Sequence, residues 1–221
     1  MKKYHTPLLA LGLTAALVLI GCSSSPPSLT AKPSGFLPDY SLLTPIANPP
    51  PGTQIYNYNN PGVRKGEYQA VIVAPVQLYQ TATENGVTNT EIQSARSHLQ
   101  AGIQQIVSKK IAIATLPGPG VATLTVAITG AELQGEGLKP WNLIPISAAI
   151  KLASAATGTD SKTPVLVVEL KFLDSVSGKL LRETLTTVSG ESFRNQANTA
   201  AEFTKLAQAW VQDALQYSAN S

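Results

Sequence analysis

Val165-Leu-Val-Val-Glu-Leu-Lys-Phe-Leu173, Asp174-Ser-Val-Ser-Gly178 and Lys179-Leu-Leu-Arg-Glu-Thr-Leu-Thr-Thr-Val188 stand consecutively in the chain. The outer two are runs rich in β-branched and aliphatic residues, and the middle one is a short Ser/Gly connection. That combination predicts a β-hairpin. Around it, two earlier stretches read as strands. Tyr68–Leu78 (YQAVIVAPVQL) is free of charge, as in a strand buried on both faces. Pro75 near its end marks an edge position or a bulge. Val121–Leu133 alternates, with Leu124, Val126 and Ile128 on one face and Thr123, Thr125 and Thr129 on the other.

Helical spacing appears twice. Thr88-Asn-Thr-Glu91 has the pattern of a capping box, and Ile92, Ala95, Leu99, Ile103, Ile106 and Val107 follow as one apolar stripe. Thr199-Ala-Ala-Glu202 repeats the capping pattern before Phe203, Leu206, Ala207, Trp210, Val211, Ala214 and Leu215. A third, shorter helix is expected in the apolar segment 143–156. The predicted fold class is an α+β or α/β two-layer sandwich: about four strands in a sheet, covered by two long helices and one short one. Strand order is not legible at this level.

Upstream of the fold lie two segments of different composition. Lys2 and Lys3 precede Leu8–Gly21, which is uncharged and has Thr14 as its only polar side chain. As a helix at about 1.5 Å per residue the apolar run spans roughly 21 Å, short of the ~30 Å hydrocarbon core, so an export signal is expected rather than a permanent span. Ser23 to about Gly66 holds nine of the sixteen prolines and little charge, the composition of an extended tether. Within it, 34–43 and 55–61 carry enough apolar bulk to lie against the domain. The expected organisation is signal peptide 1–21, lipidated Cys and Pro-rich tether 22–66, and one globular periplasmic domain 67–221.

The boundary between the first two segments, Leu19-Ile20-Gly21-Cys22, resembles the lipobox of bacterial lipoproteins. The resemblance implies cleavage before Cys22, a thioether-linked diacylglycerol on its sulfur and an acylated new N-terminus, palmitate being among such acyl chains. A plain signal peptide would want an Ala-x-Ala-like site, which is missing near the end of the run. Lipidation also accounts for a lone cysteine in an exported chain, which would otherwise point to an intermolecular disulfide or a reactive thiol. In bacterial lipoproteins an Asp after the Cys favours inner-membrane retention. Ser23 stands here, which implies the outer membrane, periplasmic side.

Composition narrows the chemistry. Without Lys2 and Lys3 the mature chain carries fourteen basic residues against thirteen acidic ones, and no basic run longer than the pairs Arg64-Lys65 and Lys109-Lys110. That balance gives no footprint for nucleic acid. His98 is the only histidine after the leader and Cys22 the only cysteine, so metal sites and Cys- or His-based nucleophiles lose their usual ligands. No cofactor is expected. His98 falls one position off the first helical stripe, where a surface histidine is the expected role. Gly135-Glu-Gly137 follows a strand, but Pro140 and Trp141 break the dinucleotide fingerprint. Pro117-Gly-Pro-Gly120 lacks the Lys-Ser/Thr of a phosphate loop. Glu169, Asp174 and Glu183 are the only carboxylates placed for pairing. General acid/base work would need them in a concave site, whereas strand-face ion pairs or a turn aspartate are the commoner outcome.

Several quoted stretches together resemble one family. The Cys-Ser-Ser start of the mature chain, SGFLPDYSLL (34–43), the aromatic-Asn-Pro stretch after it, YQAVIVAPV (68–76) and the hairpin-plus-helix ending are similar to bacterial lipoproteins of domain-of-unknown-function family 3313. The resemblance implies a periplasm-facing lipoprotein and supplies no catalytic residues. The leading expectation is a lipid-anchored, non-enzymatic envelope module, held to the membrane through acylated Cys22 and binding a partner protein or an envelope component. A small apolar-ligand or lipid carrier is the alternative, motivated by 143–156 and Trp210. An envelope hydrolase ranks last, since no Gly-x-Ser-x-Gly elbow is present. The candidate interaction face is Trp141, Leu143, Ile144, Ile146, Ile150 and Leu152, and the competing reading is a helix packed across the sheet.

Overall fold

In the computed structural model, residues 33–79, 87–135, 161–192 and 199–219 are described. They form a mixed sheet with two helices on one face and a strap of irregular chain on the other. The strands are β1 (Thr44–Pro45), β2 (Thr53–Asn59), β3 (Ala70–Val73), β4 (Gln77–Leu78), β5 (Ala112–Ile113), β6 (Val121–Gly135), β7 (Lys162–Asp174) and β8 (Leu180–Ser189). The helices are α1 (Asn89–Ser108), between β4 and β5, and α2 (Thr199–Ala219), after β8. The sheet order is β1-β2-β8-β7-β6-β3-β5, with β4 also pairing β6. β3, β4 and β5 make parallel pairings, while the rest of the sheet is antiparallel.

The expected four strands under three helices is therefore corrected, among the described residues, to eight strands and two α-helices, besides one 3-10 turn at Tyr40–Leu42 in the strap. Two of the added strands come from the Pro-rich stretch. Pro51 and Gly52 (φ 73°) occupy the central positions of a turn closed by Thr53 N–H donating to Pro50 O at 3.0 Å, the arrangement that a Pro-Gly pair favours. Thr53-Gln-Ile-Tyr-Asn-Tyr-Asn59 then pairs along its whole length with β8. Pro45 is tolerated because β1 is a two-residue edge strand. The 68–78 run is not one strand. It divides into β3 and β4 on either side of Pro75, which has no N–H to give the ladder. The chain just after α1 supplies β5. The short helix expected in 143–156 lies outside the described residues.

Side-chain alternation assigns the two faces. Leu124, Val126 and Ile128 of β6, Leu166 and Val168 of β7, and Val188 of β8 meet Ile92, Ala95, Leu99, Ile103, Phe203, Leu206, Ala207 and Trp210 of the helices. The helices cover this face because their apolar residues recur every three or four positions. α1 begins with a complete capping box: Glu91 N–H donates to Thr88 Oγ1 at 3.3 Å and Thr88 N–H donates to Glu91 Oε2 at 2.6 Å. The helices approach closely at Gly102, where a Cβ would come 2.3 Å from a methyl of Val211. On the opposite face Tyr56, Ala127, Val167 and Leu185 pack against Phe36, Leu37 and Leu43 of the strap.

Candidate functional site

The strap face holds the chain's unusual chemistry, and strand register puts it there. Glu169, Lys171 and Val167 alternate onto this face of β7, and Glu183 and Leu185 onto the same face of β8. Lys171 lies directly opposite Glu183, and Glu169 opposite Leu185 on one side and Ala127 on the other. Tyr58 of β2 stands opposite Glu183. Two carboxylates and one ammonium thus share a surface that residues 33–43 then cover. Glu169 and Glu183 both have 0% exposure.

Glu169 is well provided for. Its Oε2 accepts from Tyr40 Oη at 2.6 Å and Ser34 Oγ at 3.0 Å, and its Oε1 accepts from Thr129 Oγ1 at 2.9 Å. Thr129 comes into reach because β6 shifts register between Ile128 and Gly130. Ser34 Oγ and Tyr40 Oη lie 2.8 Å apart, and Ser34 Oγ accepts from Phe36 N–H at 3.1 Å. Burial pushes the Glu169 carboxyl above its ordinary range, and the three hydroxyl donors and Lys171 only partly oppose it. The Tyr40 phenol is pushed up to about 12, first by burial and then by the neighbouring Glu169 charge.

Lys171 joins strap to sheet differently. Its Nζ donates to Phe36 O at 2.6 Å and stands 4.3 Å from the centre of the Phe36 ring. That ring meets Tyr79 edge-on, with centroids 5.7 Å apart. Burial lowers the ammonium's pKa, against the attraction of Glu169 and Glu183.

Glu183 is the exception. Neither of its oxygens makes a hydrogen bond of ordinary geometry. Burial raises its carboxyl to about 7; the nearby Asp39 N–H and Lys171 lower it, while the Asp39 and Glu169 charges add to the rise. Of the three carboxylates singled out by sequence, Asp174 stands apart. It ends β7, accepts from the backbone N–H of Val176 and Ser177, and accepts from Tyr68 Oη at 2.9 Å. Those donors, Ser177 foremost, hold it down at about 2. It is a turn aspartate.

As it stands, the layer ties residues 33–43 to the sheet. With both carboxylates sealed from water, no reacting atom can reach them in this conformation. Among the described residues no three His, Cys, Asp or Glu side chains gather as metal ligands would. His98 is exposed on α1, its Nδ1 3.0 Å from Ser94 O. Cys22 and the whole proposed interaction face, Trp141, Leu143, Ile144, Ile146, Ile150 and Leu152, lie outside the described residues. Trp210 is in the core between helix and sheet. Sequence reasoning missed the strap's part in the layer. Ser34 and Tyr40 reach Glu169 across more than a hundred residues, and their own neighbourhood gives no local sign of it.

Comparison with known proteins adds the following. A family model described as a protein of unknown function, DUF3313, matches residues 32–214. The uncharacterized lipoprotein YdcL of Escherichia coli (strain K12) is 21% identical over 190 residues, which cover 86% of this chain and 85% of that protein. Among solved structures, the PelC dodecamer from Paraburkholderia phytofirmans shares 15% identity over 74% of this chain and 97% of that one, with a TM-score of 0.34. A minor lipoprotein from Acinetobacter baumannii shares 10% identity over 69% and 94%, with a TM-score of 0.32.

Proposed function

Because the chain belongs to the DUF3313 family, we propose that it is a lipoprotein of the bacterial envelope, anchored through acylated Cys22 on the periplasmic side of the outer membrane. There it works without catalysis, as a binding module for a partner protein or an envelope component. The observation that carries this reading is Leu19-Ile20-Gly21-Cys22 behind a charge-free run and two lysines, with Ser23 next. The lipoprotein name of the relative supports the envelope assignment.

The anchor chemistry fits the rest of the chain. The thiol at 22 is the only one available to take a lipid. Acyl burial contributes about 0.8 kcal/mol per CH₂, so several chains on one residue make a durable anchor. The binding role rests on a shortage. The chain has one histidine and one thiol after the leader, and its two best-placed carboxylates are locked under the strap.

The test is metabolic labelling with a clickable palmitate analogue in a Gram-negative host, followed by separation of inner and outer membranes. Wild type is expected to carry label in the outer-membrane fraction, and Cys22→Ser to carry none. Label retained by Cys22→Ser, or absent from wild type, refutes the anchor. Crosslinking of the labelled protein in cells then tests the binding role: a discrete partner adduct is expected, and a monomer untouched by crosslinker counts against it.

A further inference from the structure

One end of the sheet gathers the starts of β3, β5, β6 and β8 and the end of β7. The loops there are held together: Ser175 Oγ and Gly118 exchange hydrogen bonds at 3.1 and 3.2 Å, and Ser175 N–H donates to Val121 O at 3.0 Å. Gln69 N–H donates to Gly120 O at 2.9 Å, and Asn60 Nδ2 donates to Leu180 O at 2.8 Å. This end exposes large apolar side chains, with Leu116 at 76% and Val176 at 68%, and Ile113 of edge strand β5 is close to half exposed at 49%. Arg64 and Lys65 precede β3, Lys109 precedes β5 and Lys179 precedes β8 at this same end, and all four are exposed. Among the described residues the acids at this end are Glu67, whose Oε2 accepts from Arg64 N–H, and Asp174, which is taken up by its own turn and Tyr68. The near-neutral total charge of the mature chain conceals this local excess of cations.

The leash is of matching length. The strap is fixed at Ser34, beside Glu169. From Glu169 to Asp174 β7 rises about 17 Å. The residues from Cys22 to Pro33 extend at most roughly 40 Å. An acyl group on Cys22 can therefore sit in a bilayer that the end of the sheet touches, whereas the domain cannot move far from that bilayer.

We propose that this end of the sheet is a membrane-facing tip, in which Arg64, Lys65, Lys109 and Lys179 bind anionic lipid headgroups while Leu116 and Val176 enter the headgroup boundary. The inference rests on the anchored reading for its leash, though the tip's own affinity needs no acyl chain. Each cation near an anionic surface contributes enough to change binding about fivefold. Apolar side chains at the headgroup boundary add affinity by area buried.

The experiment is cosedimentation of the mature chain carrying Cys22→Ser, hence unacylated, with vesicles of phosphatidylcholine alone or mixed with phosphatidylglycerol. Binding to the mixed vesicles only is expected, diminishing as salt is raised. Lys65→Glu and Lys179→Glu should each weaken it by about fivefold or more, and the Leu116→Ser, Val176→Ser pair should weaken it at unchanged charge. Equal sedimentation with both vesicle types, or indifference to all four substitutions, overturns the tip even where wild type takes up palmitate. Binding of the mature chain to mixed vesicles without palmitate uptake by wild type would instead remove the anchor and leave the tip standing.

Discussion

Glu183→Gln should stabilise the protein at pH 8 and do nearly nothing at pH 5. Glu183 is fully buried, neither oxygen has a hydrogen-bond donor of ordinary geometry, and its carboxyl is raised from 4.5 to about 7. A raised folded-state pKa means that the native chain binds more protons than the unfolded chain between the two values. Stability contributed by this site therefore falls as pH climbs from about 4.5 to about 7, and the full penalty stands above 7. The interval corresponds to at most about 3 kcal/mol, and relaxation around the charge reduces that to roughly 1–3 kcal/mol. Glutamine removes the charge at nearly constant volume, so the penalty disappears where it was present. For a chain of this size the gain is about 2–10 °C in Tm at pH 8. Thermal unfolding of wild type and variant at both pH values provides the assay, and the difference between the two shifts is the decisive quantity. A variant that is less stable than wild type at pH 8, or a shift equal at both pH values, would refute the reasoning.

The remaining predictions concern other parts of the same construction. Glu169→Ala leaves the Tyr40, Ser34 and Thr129 hydroxyls without their shared acceptor. It should cost about 2–4 kcal/mol in urea unfolding and speed proteolysis within 33–43. Gly102→Ala, ordinarily favourable in a helix, should destabilise by about 1–3 kcal/mol, because the new methyl meets stiff Val211 at 2.3 Å; a rise in Tm would show that the helices can part without cost. Ser23→Asp should move acylated protein from the outer- to the inner-membrane fraction without changing its circular dichroism, and an unchanged distribution would show that position 23 does not direct sorting.

The parts of the fold legible in the sequence are those specified by near neighbours. The β7–β8 hairpin follows from two runs rich in β-branched and aliphatic residues and a short Ser/Gly link, and α1 from Thr88, Glu91 and a stripe of period 3.6. β2 was hidden by company. Its Thr-Gln-Ile-Tyr-Asn-Tyr-Asn alternation was visible, but three prolines just before it made the stretch read as tether, although Pro51-Gly52 is a turn that feeds a strand. Proline at 75 signalled irregularity and delivered it, dividing one apparent strand in two. Glu169 and Glu183 could be singled out as carboxylates on neighbouring strands, but their shared face rests on the register of β7 against β8. Their burial was not legible, since it depends on Ser34, Phe36 and Tyr40 returning from the far end of the chain. Gly102 gave no signal either, as its reason lies in Val211 of another helix.

Central to the account is a lipid on one sulfur, and intact-mass and peptide mass spectrometry of the protein purified from envelopes measures it directly. The account predicts an N-terminal peptide that begins at Cys22 and carries diacylglycerol together with an amide-linked acyl chain, with residues 1–21 absent. A free Cys22 thiol, a mature end at any other residue, or a persisting leader would contradict it.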